Sequence, residues 1–595
     1  MKARFQNQSL TFFLMCLSAV LLSACLPFFG QKTDYRFSGF NGVDTGMEVY
    51  LSEILKDRLM DDIEEETGSE EFTRATAYRE YMIARDLETA LRARGYYDAS
   101  VEFVADEDRP LAGEFQIDSG AQYKIQSVTL EPAEIYQDYF DFSAINAGDP
   151  LDAETVLKTQ AAMKDILGKD GCYFNLAIRH EVLLDQNAKT ADLTFFIEKG
   201  AEANFGSVSF EGLESIKEAY IRKLLPWKEG DCFRRERIER FKTTLLESGL
   251  FSRAESVLPD APDEDGRVDV VMSIRERAHR SIKGGLSYYT DEGVGLTLGW
   301  EHRNFLGQAE KLVTTLSVNQ LKQSLGAEFS KPFFWRPDQT LFLNSSIRRQ
   351  DTDAFEELGI NFGGRISRKV TRRLTVSVGS NLALTQIEDS REKRTFGLVS
   401  FPVSAVFDNR DNSLDPTKGW LINATVRPVI DAFGESDPFT KIEGGARTYL
   451  TPTGSKNFVV ALRADAGSII GESRFDLPAT ERFYAGGGGS VRGYGFQEVG
   501  PFENGESAGG LSFATGSLEL RNRFTETMGG VMFVDAGSVS DDTFPDFNNL
   551  AIGAGLGVRY FTGFGPLRFD VAVPLTEKDN LDRNYQFYLS IGQAF

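Results

Sequence analysis

The sequence predicts a two-part molecule: three copies of an α+β unit with the order β-α-α-β-β, followed by a transmembrane antiparallel β-barrel of about sixteen strands. Three observations lead there. A Gly-aromatic turn recurs as Gly95-Tyr96-Tyr97, Gly171-Cys172-Tyr173-Phe174 and Gly249-Leu250-Phe251, at spacings of 76 and 78 residues, which suits whole domains better than solenoid repeats. Beyond about Arg280 apolar and polar residues alternate strictly, segment after segment. After residue 30 no apolar run approaches the length of a transmembrane helix, so a membrane span in this chain has to be a closed barrel of strands.

The first 25 residues read as an export signal: Lys2 and Arg4 form a basic start, and Thr11 to Leu22 an apolar stretch too short to span a bilayer. It closes on Leu22-Ser23-Ala24-Cys25, which resembles a lipobox with Cys25 as an acylated first mature residue; ordinary cleavage after Ala24 is the alternative. At 595 residues several structural units are expected, and a net charge of −23 argues against nucleic acid as a partner. His180, His279 and His302 lie far apart with no metal-ligand spacing, and no nucleophile or cofactor motif is found, so neither an enzyme nor a cofactor is expected.

The repeats are assigned to 34–119, 120–199 and 200–278. Two joints mark them, Gly120-Ala121-Gln122-Tyr123 and Gly200-Ala201-Glu202-Ala203. Ile83, Leu87 and Leu91 share one helical face in the first copy, and Ile238, Phe241 and Leu245 in the third. Glycine is expected to end each helix as a left-handed cap. Paired strands follow: Ser100 to Val104 with Gly113 to Ile117, Ala177 to Leu183 with Asp192 to Glu198, and Ala254 to Leu258 with Val268 to Ile274, the last joined by the hairpin signal Asp265-Gly266. The acidic stretch from Asp61 to Glu71 reads as a solvated helix end or loop. Cys172 and Cys232, in the second and third copies, are either a disulfide or two buried thiols.

In the barrel, assigned to 279–595, Val294, Leu296, Leu298 and Trp300 alternate with small residues, and Leu567, Phe569, Val571 and Val573 alternate with Arg568, Asp570 and Ala572. Charged residues in alternation with large apolar ones separate a membrane barrel from a soluble sandwich. Phe333-Phe334-Trp335, between prolines, reads as an interfacial girdle on a turn. Two stretches then organise the chain. Gly486-Gly487-Gly488-Gly489-Ser490-Val491-Arg492-Gly493-Tyr494 cannot be strand or helix interior, because each glycine loses too much backbone entropy on ordering. It is followed by no helix, which excludes a phosphate loop, and Arg492 breaks the spacing of a nucleophile elbow. Val531 to Gly537 reads as a strand with Phe533, Asp535 and Gly537 on one face.

The two stretches together resemble the signature of the BamA/TamA superfamily of outer-membrane assembly proteins. In that family a Val-Arg-Gly-Tyr loop, folded into a barrel, meets a Phe-x-Asp-x-Gly strand on its wall. The resemblance implies that Val491, Arg492, Gly493 and Tyr494 form the barrel-interior motif, that Phe533, Asp535 and Gly537 receive it, and that Arg492 pairs with Asp535. The β-α-α-β-β repeats likewise resemble POTRA (polypeptide-transport-associated) domains. Arg303 to Gly307, and Phe407 to Asp411 with Pro416 and Gly419, also resemble the superfamily, as does the alternating last strand ending in Phe595, similar to the C-terminal signal of outer-membrane barrels.

Three repeats in under 600 residues resemble the TamA branch. What that implies is insertion or folding of unfolded outer-membrane protein clients, autotransporters among them, in the outer membrane of a Gram-negative bacterium, with the repeats in the periplasm. A TamB-like inner-membrane-anchored partner and outer-membrane lipid complete the expected partners. A two-partner-secretion pore and phospholipid transport are the alternatives. Gly284-Gly285 in the first strand and Gly592 in the last weaken the two strands that meet at the closing seam, which is the expected working site.

Overall fold

The computed structural model describes residues 34–38, 50–54, 70–106, 112–132, 145–452, 457–562, 565–577 and 584–591. The chain divides into two compact units, one comprising 1–206, 229–235 and 259–269, the other 207–228, 236–258 and 270–595. Cys25, Gly592, Phe595 and most of the acidic stretch, residues 61–69, lie outside the described residues.

Three three-stranded sheets share one plan, with the last strand of each in the centre. Ala112–Asp118 lies parallel to Asp34–Ser38 and antiparallel to Ser100–Ala105. Thr190–Glu198 is placed likewise between Lys124–Glu131 and Ala177–Asp185, and Arg267–Glu276 is central between Asn204–Glu211 and Phe251–Val257. A helix covers each sheet because its apolar stripe has no other place to go. Ile83, Leu87 and Leu91 of helix Glu70–Ala93 pack with Phe115 and Ile117. Val156, Met163 and Leu167 of Ala153–Asp170 pack with Leu193 and Phe195, and Ile238, Phe241 and Leu245 of Arg235–Glu247 are buried in the third.

Two of the three helix-ending glycines are left-handed, Gly95 (φ +91°) and Gly249 (φ +70°), and Tyr96 N donates to Leu91 O at 3.0 Å in the first. Gly171 corrects the expectation: its φ of −124° is extended. The residue is small there for another reason, since a Cβ would fall 2.1 Å from the ring of Tyr173. Cys172 and Cys232 form a disulfide. The loop it closes spans 60 residues, for which the chain-entropy argument estimates about 4 kcal/mol of stabilisation.

From Arg280–Tyr289 to Gln586–Ile591 the strands close into a sixteen-stranded antiparallel barrel. The eighth strand is broken: Lys393–Ser400 and Val403–Asp408 lie end to end between the same two neighbours, Leu374–Glu388 and Gly419–Asp431. Pro402 sits in the break, where it has no N–H to give to the ladder. Val294, Leu296, Leu298, Leu567 and Phe569 point outward and are exposed, while Arg568 and Asp570 point inward and are buried. Among the described residues no helix is long and apolar enough to cross a membrane. The long connection 471–511 turns inward instead of outward. Its Leu477, Phe483, Val491 and Tyr494 form a core with Phe396, Val429 and Phe439 of the wall.

Candidate functional site

The glycine run makes a tight hook. Gly486 (φ +109°) and Gly487 (φ +85°) are left-handed, and a Cβ on Gly486 would lie 2.3 Å from the carbonyl oxygen of Gly495. Ser490 ties the hook together, its hydroxyl accepting from Gly486 N (2.8 Å) and donating to Gly486 O (2.9 Å). Arg463 on the wall donates to the carbonyls of Gly489 (2.8 Å) and Ser490 (2.7 Å). The hook thereby delivers Arg492, two residues after Ser490, into the wall.

Arg492 is 2 % exposed and meets three fully buried carboxylates. Its Nε donates to Asp535 Oδ2 (2.6 Å) and its Nη2 to Asp535 Oδ1 (2.9 Å), and its backbone N–H reaches the same carboxylate at 3.1 Å. Its Nη1 lies 2.7 Å from Glu519 Oε1 and 3.2 Å from Asp570 Oδ2. Phe533 lies beneath, with the guanidinium carbon 3.5 Å from the ring centroid. The charges are shared further: Arg521 bonds Glu519, and Arg559 and Arg568 both bond Asp570. Buried ions persist only when paired and hydrogen-bonded in this way.

The spacing Phe-x-Asp-x-Gly on strand Met528–Ser540 has a physical reason at each position. Phe533 stacks under the guanidinium, Asp535 takes its fork, and Gly537 leaves room for Val491, since a Cβ there would lie 2.6 Å from Val491 Cγ2. Alternation places all three on the inner face. On the adjacent strand, Ala551–Thr562, Gly553 and Gly555 serve the same purpose. A Cβ on Gly553 would lie 1.9 Å from Arg492 O, and one on Gly555 2.3 Å from the Phe533 ring. Gly493 (φ +100°) passes close to the Val573 carbonyl, and the Tyr494 hydroxyl donates to Thr576 O at 2.7 Å.

Sequence reasoning missed Glu519, Asp570, Gly553, Gly555 and Tyr588. For the first two a signal exists: both are charged positions in apolar strands, each two residues from an arginine, Glu519 from Arg521 and Asp570 from Arg568. Tyr588 carries none, yet it connects the hook to the seam. Fully buried on the last strand, it opposes Asp570 on one side and Tyr289 of the first strand on the other. Its hydroxyl accepts from Gly493 N (3.2 Å) and donates to Tyr494 O (3.4 Å).

At the seam, the whole first strand pairs with the second, Arg280↔His302 through Tyr289↔Gly293. Among the described residues it pairs with the last strand at Tyr288↔Leu589 and Tyr289↔Tyr588, and Thr290 just beyond it exchanges bonds with Phe587, its N–H donating to Phe587 O and its hydroxyl accepting from Phe587 N (both 3.2 Å). The turn Arg303 to Gly307 is bonded to the part of the third repeat that belongs to the second unit. Asn304 Nδ2 donates to Ser215 O (3.3 Å) and Oγ (3.2 Å), and Lys217 N donates to Gly307 O (2.8 Å). Beside it, burial would raise the Glu276 carboxyl, but the Ser215 hydroxyl and the amides of Ile216, Glu214 and Ser215 prevail and hold it at about 2. In the turn after the eighth strand, Asp411 accepts from Thr417 N and Lys418 N, and Gly419 is left-handed (φ +107°).

Two families match this architecture. Residues 304–595 match the Omp85 superfamily domain, and residues 203–277 match POTRA, described as a surface antigen variable number repeat. The protein is thus of the class in which periplasmic POTRA structure precedes a barrel in the Gram-negative outer membrane. Within that class the matches support the BamA/Omp85 superfamily. The chain is similar to the outer membrane protein assembly factor BamA of Nitratidesulfovibrio vulgaris, at 25 % identity over 88 % of this chain and 69 % of that one. BamA of Neisseria meningitidis is 22 % identical over 88 % of this chain and 74 % of its own. The fold is also that of the crystal structure of BamA from Haemophilus ducreyi lacking POTRA domains 1–3. That match has a TM-score of 0.66 at 18 % identity and covers 80 % of this chain and 99 % of the other.

Proposed function

We propose that this protein is an outer-membrane protein assembly factor of the TamA type, which inserts or folds outer-membrane proteins such as autotransporters at the seam between its first and last barrel strands. The short seam among the described residues, two ladder pairs and the Thr290–Phe587 bonds, is the observation that carries the reading. A strand edge that leaves its ladder exposes N–H and C=O groups that lipid cannot satisfy, so an incoming strand that takes those bonds is strongly favoured. A client's edge strand would add to the first strand by β-augmentation and leave sideways into the membrane. Tyr588 supports this assignment, because it joins the Arg492 hook to the seam, where it opposes Tyr289 of the first strand. The three like sheets favour the TamA branch, in which a TamB-like inner-membrane-anchored partner works with the periplasmic repeats.

The pair Tyr288↔Leu589 supplies the test, since both side chains point outward at the seam. The Tyr288→Cys/Leu589→Cys variant, oxidised, is expected to stop insertion of an autotransporter barrel into proteoliposomes, and reduction to restore it. Full activity with the seam locked would overturn the proposal. A two-partner-secretion pore, the other reading, predicts high ion conductance in planar bilayers, whereas a lumen occupied by the 471–511 connection predicts low conductance. Phospholipid transfer by the same seam would be blocked by the same crosslink and is separated by assaying lipid exchange without client.

A further inference from the structure

The second and third turns at the periplasmic end of the barrel carry a feature that the assembly reading does not use. The first of them, Phe333 to Asp338, joins Lys322–Pro332 to Gln339–Thr352. It lies at the end of the barrel nearest the third repeat, because Tyr220 of that repeat meets Phe333 at 5.7 Å between ring centroids. Phe333 (φ +54°) and Trp335 (φ +59°) both hold left-handed backbone that bulky side chains rarely adopt, and Trp335 is left 77 % exposed, tilted against Phe334. A large aromatic ring displayed at that cost, beside a band of outward apolar residues, belongs to a membrane interface.

The neighbouring turn, 370–373, is joined to it: Lys369 N donates to Asp338 O (2.9 Å), and Arg368 Nε to the Asp338 carboxylate (2.6 Å). Thr371 Oγ1 accepts from Arg373 N (3.2 Å) and Leu374 N (3.0 Å), which fixes the tip. Arg336, Lys369, Arg372 and Arg373 are exposed there, and among the described residues none of them forms a salt bridge. Four cations without a salt bridge on two adjoining turns stand out in a chain of net charge −23. Their complement is anionic, and the exposed Trp335 and Val370 beside them place that complement at the hydrocarbon boundary.

We propose that these two turns bind the phosphate headgroups of anionic phospholipids in the periplasmic leaflet of the outer membrane, with Trp335 inserted beside the acyl chains. Each basic residue near a bilayer surface favours anionic lipid by roughly fivefold, and the effect decays within a Debye length.

The test uses the full chain in phosphatidylcholine vesicles, with spin-labelled phosphatidylglycerol or phosphatidylcholine as probe. The fraction of motionally restricted lipid then gives the preference at the barrel perimeter. The wild type is expected to prefer phosphatidylglycerol by roughly fivefold or more at low salt, shrinking toward none at high salt. Arg336→Gln/Lys369→Gln/Arg372→Gln/Arg373→Gln should abolish the preference, and Arg336→Lys/Arg372→Lys/Arg373→Lys should retain it. Heat-modifiable mobility on gels checks that each variant is a folded barrel. A preference that survives the glutamine variant, or that the wild type lacks, overturns the proposal. Loss of binding to an acidic soluble protein without change in lipid preference would equally overturn it, in favour of a protein partner.

Discussion

Removing Arg492 and removing its partner Asp535 should not be equivalent, and the structure says by how much. In Arg492→Ala, Glu519 keeps Arg521 and Asp570 keeps Arg559 and Arg568, but Asp535 loses its bonded cation and keeps only the Ser517 hydroxyl and the backbone N–H of residue 492. A buried carboxylate without a cation costs about 3–5 kcal/mol, and the lost contact with Phe533 adds to it. In Asp535→Ala, Arg492 still faces Glu519 and Asp570, so its charge stays compensated and the loss is that of charged hydrogen bonds, about 1.5–3 kcal/mol. The double variant removes the stranded carboxylate and should be no worse than Arg492→Ala, which makes the coupling about 1.5 kcal/mol or more. The assay is urea unfolding of the barrel in vesicles, read by heat-modifiable mobility at each urea concentration. Losses that add in the double variant would refute the pairing. An Asp535→Ala loss as large as that of Arg492→Ala would refute the sharing of one guanidinium among three carboxylates.

Gly537→Val should push Val491 out of its slot at about 1–3 kcal/mol, and Val491→Ala in the same chain should recover most of the loss in the same unfolding assay. Cys172→Ser should lower the stability of the disulfide-linked region by about 4 kcal/mol, and reductant should then have no further effect on its proteolysis. Glu276 titrates lower in the folded chain, at about 2, than the ordinary carboxyl value of 4.5. Its contribution is therefore complete above about pH 4.5 and disappears as pH falls toward 2. An acid titration followed by the fluorescence of buried Trp227 should lose part of its dependence in that window in Glu276→Gln.

Much of the architecture is written in local pattern. Alternation is a property of each strand by itself, so Leu567-Arg568-Phe569-Asp570 announces one lipid face and one inner face before any neighbour is known. The helical stripe Ile83, Leu87, Leu91 and the Gly-aromatic turns are likewise local, and they locate the sheet-covering helices of the repeats. The spacing Phe533, Asp535, Gly537 places three side chains on one face, and the resemblance to a known signature pointed Arg492 toward them. Pattern failed where a residue type serves two purposes. Gly171 occupies the position of a left-handed cap, but only the packing of Tyr173 reveals that space, not φ, requires it.

What remained illegible depends on register between strands distant in the chain. That Glu519, Asp535 and Asp570 converge on one guanidinium follows from the pairings of four consecutive wall strands, and a shift of one residue in any of them would turn a carboxylate to the lipid. Cys172 and Cys232 offered two readings until the fold brought their Cα atoms to 5.0 Å. The seam between the first and last strands was expected, but its register, Tyr288 beside Leu589, was out of reach, because barrel closure brings together strands nearly 300 residues apart. Sequence by itself determines the faces of strands and helices, since those follow from the geometry of one backbone segment. The tertiary structure alone decides which faces meet, since that follows from register, closure and the burial of charge.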